Sequence, residues 1–300
     1  MATINVSGGS LTISGGNLSV INGGGGGGGG GSIDPSTRSD LKLRFVAGDY
    51  STLQGSTWNP TGGNSQHVQI YYASGWNLGA NNRNDGNVPR FNGQGSAYVS
   101  DMVANNYNGM WFSPYLDVPG GSTARTLYIV AYVPDVTAGT NPTHLFVYGT
   151  AGWQQDTVGF TLDNGYIYGQ SSYIAAGPGG APYGTPRAST KGKAIQSATP
   201  FVASFAYAAG SDLSSSDLFV NGSAGGYGSG VSGVIQSAND GSGVMGSADW
   251  IVALDTRLYG ESGGGAPFYV ADILVFNTAH DSTTRQAVEA WLMTQYGISA

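Results

Sequence analysis

The sequence contains no cysteine. Disulfide staples and thiolate metal sites are thereby excluded. Charge is scarce: charged residues make up 10% of the 300, against about 25% in ordinary globular domains. The balance is acidic, with a net charge of -7, which argues against a nucleic-acid partner. No apolar run approaches the roughly 20 residues of a membrane span, so no membrane insertion is expected. Residues 1–22 show no basic segment followed by an apolar run, and no Sec-type signal is visible. Glutamate is nearly absent, represented by Glu261 and Glu289 alone. Glycoside hydrolysis needs two carboxylates flanking the scissile bond. Glu261 lies in the glycine-rich "YGESGGG", and Glu289 lies on a helical segment with Arg285, so neither has an acidic neighbour at strand spacing. No catalytic residues are assigned, and the chain is read as no enzyme.

Glycine, by contrast, is abundant at 51 residues, and hydrophobic residues reach 40%, enough for a sizeable core. Nine consecutive glycines, Gly23 to Gly31, divide the chain. Before them, Ile4 and Val6, Leu11 and Ile13, and Leu18 and Val20 alternate with polar residues between Gly-Gly pairs. That pattern predicts three very short β-strands joined by tight turns. Such strands bury little area alone, so copies or a lattice must support them. Residues 1–22 are read as an anchoring or oligomerisation segment, 23–32 as a polyglycine linker, and 33–300 as one large domain.

In that domain "DLKLRFVAG" places Leu41, Leu43 and Phe45 on one strand face. Further strands are predicted at 67–73, 126–133, 143–149, 157–163, 165–169, 201–208, 216–222, 250–255 and 266–277, broken at short intervals by Gly, Asn and Pro. This spacing predicts an all-β antiparallel sandwich or jelly roll. The end changes period: Val288, Trp291, Leu292 and Tyr296 share one helical face. Asp281 is placed to cap this helix and Gly297 to stop it. Arg285 and Glu289 form an i,i+4 pair, worth a few tenths of a kcal/mol on a surface. Trp291 and Trp250 are assigned to the core.

Four segments carry a family resemblance: "DLKLRFVAGDYSTLQGSTWNPTGGN", "NVPRFNGQGSAYV", "SDLFVNG" and "FYVADILVFNTAHDSTTRQAVEAWLMTQYGI". Together they resemble the concanavalin A-like lectin/glucanase superfamily, in its laminin-G-like jelly-roll branch of bacterial and phage surface proteins. The resemblance implies a concanavalin A-like jelly roll with one C-terminal helix and a habit of binding carbohydrate or host surfaces. It also implies a structural role for Trp58. Two departures stand out: Thr284 occupies a position where the family often has an acidic residue, and residues 173–200 look like an insertion.

Metal chemistry finds little support. His67, His144 and His280 lack ligand spacing. Asp85 and Asp240 could each supply one oxygen to calcium, but Asx-rich turns account for both without a cofactor. Arg187, Lys191 and Lys193 read as a solvated loop. Carbohydrate recognition has better candidates, because sugars offer an apolar C–H face to aromatic rings and hydroxyls to planar polar groups. Trp76, Trp111, Trp153 with Gln154, Tyr183 and Tyr227 are read as aromatics standing in turns, and are the expected carbohydrate-binding residues.

The expected whole is a virion surface protein of the capsid-decoration or fibre type. It would be a homotrimer attached to a lattice through residues 1–22, presenting a lectin-like domain to cell-surface glycans. The alternative is an extracellular carbohydrate-binding or adhesive filament protein of a bacterium.

Overall fold

The structure is a computed structural model. It describes residues 31–46, 53–54, 57–58, 62–63, 68–71, 91–92, 97–99, 109–113, 118–138, 143–149, 157–172, 186–235, 243–247, 266 and 268–300. Residues 1–30, with the expected anchor and most of the linker, lie outside the described residues, as does the strand expected at 250–255 with Trp250.

The strands in chain order are β1 (Leu41–Val46), β2 (Leu53–Gln54), β3 (Thr57–Trp58), β4 (Gly62–Gly63), β5 (Val68–Tyr71), β6 (Ala97–Val99), β7 (Gly109–Ser113), β8 (Arg125–Val133) and β9 (Thr143–Gly149). They continue with β10 (Thr157–Asp163), β11 (Tyr166–Ser172), β12 (Pro186–Ser189), β13 (Lys193–Ala194), β14 (Thr199–Tyr207), β15 (Leu218–Val220), β16 (Ser223–Ala224), β17 (Gly243–Ser247) and β18 (Phe268–Phe276). One α-helix follows, α1 (Ser282–Tyr296). The strands form two antiparallel sheets. The eight-stranded sheet runs β16-β15-β14-β8-β18-β1-β4, with β6 sharing an edge of β18. The ten-stranded sheet runs β12-β11-β10-β9-β17-β7-β5-β3-β2, with β13 added beside β11.

The two sheets close on one core. Leu127, Ile129, Phe201, Phe205 and Ile273 enter it from the eight-stranded sheet, and Phe146, Val158, Phe160, Leu162 and Ile167 from the other. Phe160 and Phe205 meet edge to face, with ring centroids 5.3 Å apart. The opposite face of the eight-stranded sheet packs on α1 through Tyr128, Val130, Val202, Leu274 and Phe276. This explains the unbroken apolar run of β8: a strand covered on both faces has no polar alternation. Leu41 shows the limit of alternation. It is buried as expected, but a register shift between Leu41 and Leu43 places it in the helix-side cluster, not with Leu43 and Phe45.

Local signals in the sequence set the turns. Asn164-Gly165 and Asn221-Gly222 close the β10–β11 and β15–β16 hairpins with φ of 49°, 80°, 48° and 78°. Positive φ at both central residues gives the turn whose twist matches a hairpin. Asp281 accepts the Thr284 N–H at 2.7 Å and caps α1. Gly297, at φ 65°, ends the helix, while Ile298 N–H reaches back to Met293 O at 2.8 Å.

The helix face differs from the expected one in two ways. Val288, Leu292 and Tyr296 are buried, but Trp291 is half-buried and lies over the Arg44 guanidinium, 5.1 Å from ring centroid to carbon. The Arg285–Glu289 pair is no surface pair. It is buried at 2.6 Å, with the Ser204 hydroxyl on Glu289 and the Phe219 ring under Arg285. A charged pair can be placed here because every group in it has a partner.

Another polar cluster ties the chain before β1 to the start of α1. Asp40 accepts from Arg38 at 2.8 and 2.9 Å and from the Thr278 hydroxyl. His280 lies between Asp40, at 3.2 Å, and the Tyr128 hydroxyl, at 2.7 Å. Burial pushes the Asp40 carboxyl up, but the Arg38 and Thr278 hydrogen bonds outweigh it and hold it at about 2. Burial, aided by Arg38, holds His280 below its ordinary 6.5 against the pull of Asp40. The unfolded chain therefore binds the His280 proton first as pH falls. Stability from this group is present above about 6.5 and is lost below it. The melting temperature is expected to fall from pH 7 to pH 5.5, with a shallower fall in His280→Asn. A wild-type melting temperature that rises over this window would contradict the assignment.

Candidate functional site

The outer face of the ten-stranded sheet carries a cluster of tyrosines at its β11 edge. Its geometry follows from strand register. Leu162 pairs with Ile167, and both point into the core. Their neighbours Asp163, Thr161, Tyr166 and Tyr168 must then point outward, since successive side chains alternate across a strand. Asp163 lies directly opposite Tyr166, and Thr161 opposite Tyr168.

A strap folds back to complete this face. Just before β13, Gly192 exchanges backbone hydrogen bonds with Tyr227 at 2.8 and 3.0 Å, and Ser189 does so with Val231 at 2.9 and 3.1 Å. The Tyr227 ring thereby stacks on Tyr166, with centroids 3.7 Å apart and planes 16° from parallel. Tyr227 still keeps 52% of its surface exposed. Tyr168 fills the space over Gly192. A Cβ on Gly192 would stand 2.6 Å from the Tyr168 ring, so this position needs glycine for close approach.

Burial and a neighbouring carboxylate keep Tyr168 uncharged. The Tyr168 hydroxyl is pushed up to about 12, first by burial and then by the nearby charge of Asp163. Burial also raises the Asp163 carboxyl. Asn164 donates its amide to Asp163 Oδ1 at 2.8 Å. The arrangement offers a flat aromatic surface, phenol hydroxyls, and one carboxylate acceptor beside them. Those are the groups a sugar ring needs: a π face for its C–H groups and directed partners for its hydroxyls.

Of the residues expected from sequence, the structure brings Tyr227 into this cluster. Trp76, Trp153, Gln154 and Tyr183 lie outside the described residues. Trp111 stands on β7, between β17 and β5, not in a turn. The run Met110-Trp111-Phe112 has the apolar, aromatic character of a strand. Tyr166 and Tyr168 were missed as site residues, although their alternation around Ile167 marks them as outward-facing. The basic cluster is also revised. Arg187 and Lys193 stand on β12 and β13, and Lys193 donates to Ala224 O at 3.1 Å, linking the edges of the two sheets. Residues 186–194, within the segment expected to be an insertion, thus build the sheet edge that supports Tyr227, and Thr199 and Pro200 open β14 in the other sheet.

Glu289 is held in its buried pair with Arg285, and Glu261 lies outside the described residues. Among the described residues no three His, Cys, Asp or Glu side chains gather to hold a metal ion. Asp85, Asp240 and His67 lie outside them. Among them, too, no helix is long and apolar enough to cross a membrane.

No protein-family model and no curated protein matches this chain. Solved structures do match in fold. The chain is similar to botulinum neurotoxin type C, in a structure described as showing cell entry dependent upon interaction with two ganglioside molecules. The TM-score is 0.51 at 6% identity, over 84% of this chain and 51% of that one. It is also similar to the receptor binding domain of botulinum neurotoxin D, at TM-score 0.48 and 10% identity, over 85% of this chain and 53% of that one. A Trypanosoma rangeli sialidase in complex with sialic acid matches at TM-score 0.49 and 11% identity, over 88% of this chain and 35% of that one. The chain spans about half the length of the toxin structures it matches. The fold is a jelly-roll-like β-sandwich, a likeness shared with the botulinum neurotoxin type C structure.

Proposed function

We propose that the chain is a carbohydrate-binding protein of an extracellular or surface setting, without enzymatic activity. Tyr166, Tyr168, Tyr227 and Asp163 form its glycan contact. The observation that carries this reading is the half-exposed Tyr227 ring stacked on Tyr166 beside an outward carboxylate. The ganglioside interaction of a toxin sharing the fold supports a sugar as the ligand class.

Chain direction supports the setting. Ile33 donates its N–H to Ala287 O on α1 at 3.1 Å, so the first described residues of the chain lie on the helix side of the sandwich. The tyrosines occupy the outer face of the other sheet. A tether on one side and a ligand surface on the other is the geometry of a presented domain.

The finer readings are part of the same proposal. They are a laminin-G-like lectin jelly roll, an anchor in residues 1–22 and a homotrimer, whether on a virion or a bacterial surface. A solution mass of one subunit for the full chain would overturn the trimer. Trp76, Trp111, Trp153, Gln154 and Tyr183 are proposed as further contacts, each testable by its alanine variant in the assay below.

Affinity electrophoresis through gels containing soluble polysaccharides tests the platform. At least one polysaccharide is expected to retard the full chain. Tyr227→Ala should weaken that retardation about tenfold, the equivalent of roughly 1.4 kcal/mol. Equal retardation of both proteins would remove Tyr227 from the site.

A further inference from the structure

A second recess opens on the helix side of the eight-stranded sheet, where α1 ends. Asn92, Thr199, Pro200, Asn221, Ile298 and Ser299 enclose about 380 Å³, the lower range of small-molecule sites. None of these side chains ionises. The recess also lies at the C-terminal end of α1, whose partial negative charge disfavours anions.

The two asparagines present defined chemistry. Asn221 Oδ1 accepts the Val202 N–H at 2.8 Å, so its amide nitrogen is the end left to the cleft. Asn92 donates its Nδ2 to Gln295 O at 3.4 Å, so its carbonyl oxygen is the end left there. Backbone partners fix both amides, and neither can be flipped without losing its bond. Both residues hold left-handed backbone, φ 52° and 48°, which Asn adopts more readily than most residues. Gly297 lets Asn92 approach the helix end: a Cβ there would lie 3.0 Å from the Asn92 Cβ.

One donor, one acceptor, two hydroxyls, two apolar side chains and no charge define a ligand class. Adjacent ring hydroxyls both give and accept hydrogen bonds, and a pyranose C–H face suits Pro200 and Ile298. We propose that this cleft is a second binding site, for a neutral pyranose, independent of the tyrosine platform.

The test is saturation-transfer NMR on the full chain in a Tyr166→Ala/Tyr227→Ala background, which removes both stacked rings of the platform. Methyl glycosides of glucose, galactose and mannose are the probes, with methyl glucuronide as the charged control. Asn221→Asp keeps the oxygen that Val202 needs and removes the donor. Asn92→Gly keeps the left-handed backbone and removes the acceptor. Ser299→Trp fills the cleft from an exposed position without removing a hydrogen bond described above.

At least one neutral glycoside is expected to bind, at least fivefold more weakly in each of the three variants, and the glucuronide more weakly than its neutral counterpart. The proposal is overturned if no neutral glycoside binds in that background. It is overturned equally if Ser299→Trp binds as the parent does, or if the glucuronide binds best. Because both stacked tyrosines are absent throughout, either result leaves the platform to its own assay.

Discussion

Replacing Asp272 with Ala is expected to cost about 3–5 kcal/mol, a large part of the roughly 5–15 kcal/mol that holds a domain folded. Asp272 is fully buried on β18. Its Oδ2 accepts from Arg44 Nη2 at 2.7 Å and from the Tyr296 hydroxyl at 3.0 Å. Trp291 covers the guanidinium, whose side chain is 11% exposed. The group therefore joins β1, β18 and the last turn of α1. Truncation would leave a nearly dry guanidinium without its carboxylate and a buried phenol without its acceptor. Removing both charges together is a different matter, because the desolvation cost disappears with them. Arg44→Met combined with Asp272→Leu is expected to regain most of the loss. Urea unfolding of the three proteins measures this. A single Asp272→Ala variant within about 1 kcal/mol of the parent would mean that the pair is no stronger than a surface bridge.

Gly192→Val is expected to weaken glycan binding about 30-fold, roughly 2 kcal/mol, while costing the fold only about 1 kcal/mol. The asymmetry comes from what the new side chain meets. Its Cβ would stand 2.6 Å from Cε1 and 2.8 Å from Cζ of Tyr168, the free end of a side chain that can swing away. The core residues Ile167 and Phe160 on the other face need not move. The displaced ring, however, must leave the surface it shares with Tyr166 and Tyr227. Isothermal titration with the best-retained polysaccharide, set beside a thermal melt, separates the two effects. Full binding by a folded Gly192→Val protein would show that Tyr168 takes no part in the site.

Much of the scaffold was legible because its signals are local. The apolar run of β8, the Asn-Gly turns, the Asp281 cap and the Gly297 stop each depend on a few adjacent residues. What escaped depends on distant partners. Asp272 reads as an intrusion in "ADILVF" until Arg44, from the other end of the domain, is placed beside it. The Arg285–Glu289 pair reads as a surface pair, since Ser204 and Phe219, which bury it, belong to other strands. The tyrosine cluster divides in the same way. Tyr166 and Tyr168 alternate visibly around a core isoleucine, but the role of Tyr227 needed the strap that bonds it to Gly192. Trp111 misled because its Asn- and Gly-rich flank hides a three-residue strand core.

The tyrosine surface is the proposed glycan contact. A glycan array probed with the full chain and with its Tyr166→Ala/Tyr227→Ala variant, both verified as folded, tests that most directly. Retention of a defined set of glycans by the full chain, lost in the variant, is the predicted result. No retained glycan, or the same set held equally by both proteins, would contradict it.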